Sequence, residues 1–231
     1  MTVAGPADTT PAHSPIEPVQ RPVPLRQSVY ETLVEHIVTG NLLPGQHLVE
    51  TELARQLGVS RQPVREALHR LEAGGWIDLR PSQGAFVHVP TDEEVDQLLD
   101  ARELLEGATA RLAARCATPA AVAKLRAALA DGVAAVQSGD LENTVSANNA
   151  FHAAVADLAG NGILAELSEI VGRRVRWHYL QVAPARGRDS WSEHAALVDA
   201  IEAGDEDRAS ALARAHTERT RTAHHGPSNP N

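Results

Sequence analysis

The sequence predicts a mainly α protein in two parts: a small N-terminal unit of short helices closed by a hairpin, then an antiparallel bundle of six helices. Three observations point there. Aromatic residues make up only 3 % of the 231 while alanine is abundant, which favours helices over a β-sandwich. The strand-like segments, Trp76–Leu79 and Ala85–Val89, lie together and are separated by a turn. From Thr91 onward apolar residues recur only at helical spacing, in segments divided by Gly, Asp and Pro.

Six of the fourteen prolines fall in residues 1–24, which carry no apolar periodicity, so a disordered arm is expected there. Leu25, Val29, Leu33 and Ile37 stand four apart and mark one face of a first helix, ended by Gly40-Asn41. A short second helix over Glu50–Leu57 turns Leu53, Ala54 and Leu57 inward and stops at Gly58. Ser60 is placed to cap a third helix, with Pro63 in its first turn, where no intrahelical N–H bond is lost. Arg80-Pro81-Ser82-Gln83-Gly84 then joins the two strands. Thr91 and Glu94 form a capping box that opens a long helix to about Cys116, and Thr118-Pro119 opens the next, to about Ser138. Further helices are expected over 140–159, 162–181, 190–203 and 205–221, with a polar tail over 222–231. The expected units are therefore 25–90 and 91–221.

The apolar stretches are too short for a membrane helix, and the N-terminus lacks the basic start and apolar core of a signal peptide. One cysteine, Cys116, allows no internal disulfide, and a reducing cytoplasm is expected. The net charge of −9 does not exclude a nucleic acid, because the acid is unevenly placed. Residues 25–90 hold six Arg against seven acids, whereas residues 91–231 hold fourteen bases against twenty-one acids.

Two short helices around Gly58-Val59-Ser60 have the dimensions of a helix-turn-helix. On the helix after Ser60, Val64, Ala67, Leu68 and Leu71 form the buried stripe, so Arg61, Gln62, Arg65 and His69 project outward. Arginine can pair with the O6 and N7 of guanine and glutamine can read adenine, which suits this face to a major groove. The helix N-terminus at Ser60 can receive a phosphate, and Gly84 at the hairpin tip allows close approach to the sugar-phosphate backbone. The run ELARQLGVSRQPVREALHRLEAGGWIDLRPSQGAFV resembles the GntR family of bacterial regulators, whose winged helix-turn-helix shows the same order of motifs. The resemblance spans residues 25–90 and implies binding to double-stranded operator DNA.

In the second half, Asn148 and His152 stand one turn apart on one helix, with His194 and His216 on later ones. Three imidazoles and a carboxamide oxygen converging in a bundle would hold a divalent ion such as Zn²⁺ or Ni²⁺. Spacing alone does not single these out among eleven histidines. Residues 92–221 are similar to the FCD effector domain of the FadR subfamily, and that resemblance selects the three. It implies an acid-x-x-x-His pair followed by two later histidines; here Asn148 stands where the family often has Asp. The resemblance also implies that Arg102 faces the cavity, where it would pair with an effector carboxylate. A salt bridge to Glu106, four residues on, is the other reading of Arg102.

The expected protein is a dimeric, ligand-responsive regulator, more often a repressor in this family, that senses a small organic acid and is not an enzyme. The rival is a metal-dependent hydrolase or isomerase built on the three histidines; it lacks an evident general base and leaves the DNA-binding motif unexplained.

Overall fold

The computed structural model describes residues 25–226, the side chains of residues 179–182 and 185 excepted. The arm expected over residues 1–24 lies outside the described residues, as do the last five residues of the tail. Among the described residues the chain forms eight α-helices and one small sheet.

Helix α1 (Leu25–Val38) buries Val29, Leu33 and Ile37, the face read from the four-residue spacing. Helix α2 (Glu50–Leu57) ends at Gly58, whose φ of 65° is the left-handed conformation that a Cβ would strain. That turn aims α3 (Arg61–Ala73) across the unit, with Val64, Ala67, Leu68 and Leu71 inward. Ser60 has the extended backbone of an N-cap, but its side chain makes no capping hydrogen bond. Strands β2 (Ile77–Arg80) and β3 (Gly84–Val87) pair antiparallel with Arg80 opposite Gly84. A third strand, β1 (His47–Leu48), which sequence reasoning missed, pairs on the other edge of β3. The whole is a winged helix-turn-helix.

Five helices follow: α4 (Asp92–Arg115), α5 (Pro119–Ser138), α6 (Leu141–Leu158), α7 (Gly162–Glu202) and α8 (Glu206–His225). The Thr91–Glu94 capping box is formed as expected. The break expected over Pro184–Asp189 is absent: the segments 162–181 and 190–203 are one helix of 41 residues, with Pro184 inside it. Proline in a helix interior costs about 3 kcal/mol. Burial of Ala183, Arg186, Ser190 and Trp191 around it supplies the tertiary contacts that offset this. The bundle therefore has five helices rather than six. Helix α8 also runs past the expected end at residue 221, held by Arg221 on Asp96 and Asp100 and by His225 on Asp96.

The bundle core joins Phe151, Trp191, Val198 and Ile201 to a set of alanines that let the helices close. Trp191 lies on Gly132 so closely that any Cβ there would sit inside the ring. The two parts also share a core, because Trp177 of α7 is buried with the winged-helix residues and its ring centre lies 5.6 Å from that of Trp76. Arg174 covers the other side of that contact, 4.8 Å above the Trp76 ring, and donates to the Gly74 carbonyl.

Candidate functional site

Two regions carry the residues singled out in the sequence. On α3, Arg61, Gln62, Arg65 and His69 are all exposed, and Ser60 is exposed just before them. The two arginines share one carboxylate: Arg61 Nε donates to Glu50 Oε1 at 2.7 Å, and Arg65 donates to both Glu50 oxygens at 3.0 Å. Gln62 donates to Glu66 at 2.8 Å. Hydrogen bonds from Arg65 and then Arg61 hold the Glu50 carboxyl below the usual carboxylate range. The pairing aligns both guanidinium groups on one face, and a phosphate or base edge must displace the carboxylate to use them.

Gly84 sits at the tip of the wing, just after its turn, with φ of 101°, and a Cβ there would lie 2.8 Å from His47 Nε2. The His47 ring stacks on Phe86 at 4.7 Å, and Arg80 covers Phe86 at 4.3 Å. Glycine is thus required twice, for the backbone and for the stack.

In the bundle, α4, α6 and the first half of α7 enclose a cavity of about 430 Å³. Arg102, Glu106, Asn148, His152, Ser168 and Arg176 are among the residues that line it. His194 and His216 converge on His152 from behind this wall, and one ligand atom from each of the three falls within 4.8 Å of the others. His194 and His216 are almost fully buried, with ring centres 4.6 Å apart, and His194 stacks on Phe151 at 4.3 Å. Asn148 is buried one turn before His152 on α6.

Two carboxylates orient these rings. Glu193 Oε2 accepts from His216 Nδ1 at 2.7 Å, which leaves Nε2 with a free lone pair. Glu106 Oε1 accepts from His152 Nδ1 at 3.0 Å, and His152 Nε2 in turn accepts from Arg102 Nη2 at 2.9 Å. Both supporting acids escaped the sequence reading in this role. Glu106 was visible only as a partner four residues from Arg102, and Glu193 only as the neighbour of His194. Arg102 does pair with Glu106, at 2.6 Å, and its Nη1 remains buried without a partner.

Burial disfavours charge on the rings. It pushes His194 well below its ordinary value, with His216 and His152 nearby adding to the effect. It takes His216 down to about 4 despite the Glu193 hydrogen bond. Burial works to raise Glu193 too, but hydrogen bonds from His216 and Arg186 outweigh it and hold the carboxyl at about 2. Burial likewise works to raise Glu106, and the charge of Arg102 and the hydrogen bond from His152 keep it well below the usual carboxylate range. The result is a pair of neutral, buried imidazoles beside two anionic carboxylates. Four buried atoms here, Asn148 Oδ1, both nitrogens of His194 and His216 Nε2, have no hydrogen-bond partner.

An exposed cationic helix face beside a wing, joined to a helical bundle with a polar cavity, defines a two-part DNA-binding regulator. Comparison with known proteins agrees. The model for bacterial regulatory proteins of the gntR family matches residues 25–87, and the FCD domain model matches residues 97–219. The chain is similar to the HTH-type transcriptional regulator McbR of Escherichia coli, at 32 % identity over 80 % of this chain and 86 % of that one. It is also 31 % identical to the probable D-xylose utilization operon transcriptional repressor of Paenarthrobacter nicotinovorans, over 77 % of this chain and 78 % of that one. The solved structure of E. coli McbR/YncC superposes with a TM-score of 0.74 at 27 % identity, over 86 % of this chain and 95 % of that one.

The chain belongs to the GntR family of DNA-binding transcriptional regulators, in the group that carries an FCD domain. It is a regulator and not an enzyme, so the hydrolase or isomerase reading is set aside. No helix among the described residues is long and apolar enough to cross a membrane.

Proposed function

We propose that the protein is a cytoplasmic, dimeric repressor whose bundle senses a small organic acid at a divalent metal site. The observation that carries the reading is the concentration of buried, unpartnered polar atoms in one place. An unmet buried polar atom costs about 1–3 kcal/mol, so a cluster of them implies a missing partner. Asn148 Oδ1, His194 and His216 Nε2 supply acceptor atoms, and His152 Nε2 is now taken by Arg102. These residue types suit Zn²⁺ or Ni²⁺, which would supply a Lewis-acidic point for a carboxylate. The neutral state of the buried imidazoles favours the same role, because a protonated ring cannot coordinate. Arg102 Nη1 and Ser168 Oγ, both unpartnered at the cavity, offer donors to the acid.

At the other end, Ser60, Arg61, Gln62, Arg65 and Gly84 at the wing tip would engage operator DNA, with bases read by the α3 side chains and the backbone gripped by the wing. One such unit reads too few base pairs for an operator, which is the reason to propose a two-fold dimer on a pseudo-palindrome. The repressor named among the relatives supports that sign of regulation.

Elemental analysis of protein purified without an affinity tag or chelator tests the metal. About one equivalent of divalent ion per chain is expected. His194→Ala should lose it while operator binding persists. Metal content near zero that added Zn²⁺ or Ni²⁺ cannot raise would overturn the metal reading.

A further inference from the structure

The cavity has a second cation, and that cation is held by the DNA-binding unit. Arg176 of α7 lines the cavity, yet its guanidinium donates through both Nη atoms to Glu35 of α1, at 2.7 and 3.1 Å. Glu35 stands on a helix whose Leu33, Val34, Ile37 and Val38 are buried in the winged-helix core. The residue after Arg176, Trp177, is buried in that same core. One side chain therefore belongs both to the wall of the cavity and to the junction with the DNA-binding unit.

Charge restricts where an anion can lie in this cavity. Glu106, Asp157, Glu166 and Glu169 line it and repel a carboxylate, so an anion must lie against the guanidinium groups. Arg102 and Arg176 are the two basic side chains of the wall. In the Arg176–Glu35 pair the Glu35 side chain is 56 % exposed and that of Arg176 only 19 %, so water reaches and screens the pair from the acid's side. Exchanging one carboxylate for another at a forked guanidinium keeps the hydrogen bonds and costs little.

We propose that Arg176 is a second anion-binding residue of the cavity, and that the effector is a dicarboxylic acid bound as its dianion. One carboxylate engages Arg102, and the other takes Arg176 from Glu35, releasing α1 from α7. This rests on the small-acid reading above and adds to it the second charge and the site of coupling.

Calorimetry on the full chain tests it, with malonate, succinate, glutarate and adipate as probes and butyrate as the monoanionic control. The wild-type protein should bind at least one dicarboxylate more tightly than butyrate. Arg176→Gln should erase that preference, a loss of about tenfold, while Glu35→Gln should tighten the dicarboxylate about fivefold by removing its competitor. Butyrate affinity should stay the same in both variants. Dicarboxylate affinity that is equal in all three proteins overturns the role of Arg176 while leaving the small-acid reading standing. So does butyrate binding in the wild type that no dicarboxylate exceeds. If no acid in the panel binds the wild type, the small-acid reading falls and this inference falls with it.

Discussion

Glu193→Ala should be among the most damaging single substitutions in the bundle. The Glu193 carboxylate accepts from Arg186 at 2.8 and 3.2 Å, from Arg219 at 2.6 Å and from His216 Nδ1 at 2.7 Å. The side chain of Arg186 is only 8 % exposed, so removing the acid leaves a buried charge unpaired. Its other acceptors, His216 O at 3.4 Å and Thr220 Oγ1 at 3.5 Å, are too long to take over. Breaking a buried pair from one side costs ~3–5 kcal/mol, and at 2–4 °C per kcal/mol for a chain of this size the melting temperature should fall by about 6–20 °C. Thermal unfolding followed by circular dichroism measures this directly. Adding Arg186→Met to Glu193→Ala should recover most of the loss, because the uncompensated charge is then gone. Glu193→Gln keeps the shape but loosens the hold on the His216 tautomer, and should weaken Zn²⁺ binding about 10–100-fold. A Glu193→Ala protein that melts within about 2 °C of wild type would refute the reasoning, since it would mean Arg186 finds water or another partner at no cost.

Two further outcomes are expected. Arg65→Ala should weaken binding to operator DNA about tenfold or more in a gel-shift titration, with an unchanged circular dichroism spectrum, because the side chain is half exposed and its bonds go to the surface carboxylate of Glu50; undiminished affinity would refute the docking face. His88 bridges Asp78 of β2, at 2.8 Å, and Glu94 of the α4 capping box, at 3.2 Å. Burial works to lower its pKa, yet the hydrogen bonds it donates to those two carboxylates raise it above 6.5. A raised histidine stabilises the fold fully below pH 6.5, and that contribution is lost as pH rises through the folded-state value. The gap in melting temperature between wild type and His88→Gln should therefore shrink from about pH 6 to pH 9, and a gap that widens would contradict the bridge.

What the sequence made legible was local. The Thr91–Glu94 box, the Gly58 stop and the buried stripe of α3 depend on residues within one or two turns of each other, and each forms where the pattern put it. Strand β1 has only two residues, too few to show alternation, and its partners Phe86 and Ala85 lie far along the chain from His47 and Leu48. Pro184 misled because its cost is local, whereas what offsets it, the burial of Arg186 and Trp191 against other helices, is not. The same limit hid Glu193. Its neighbour His194 was legible as a candidate, but the groups that give the acid its role stand on a different turn and on α8. Nor does any local pattern show that Trp177 of α7 packs into the other unit.

The continuity of α7 has a consequence for how the chain can vary. The residues that meet the winged helix, Arg174, Arg176 and Trp177, and the buried His194 stand on one unbroken helix. At 3.6 residues per turn, inserting or deleting a single residue between them rotates one group against the other by about 100°. Two full turns, about seven residues, must be added before both faces point as they did. The spacing from Trp177 to His194 is therefore an angular quantity as much as a length. Changes that the loop at Gly139-Asp140 would absorb become, in this stretch, a loss of phase between the buried histidines and the DNA-binding unit.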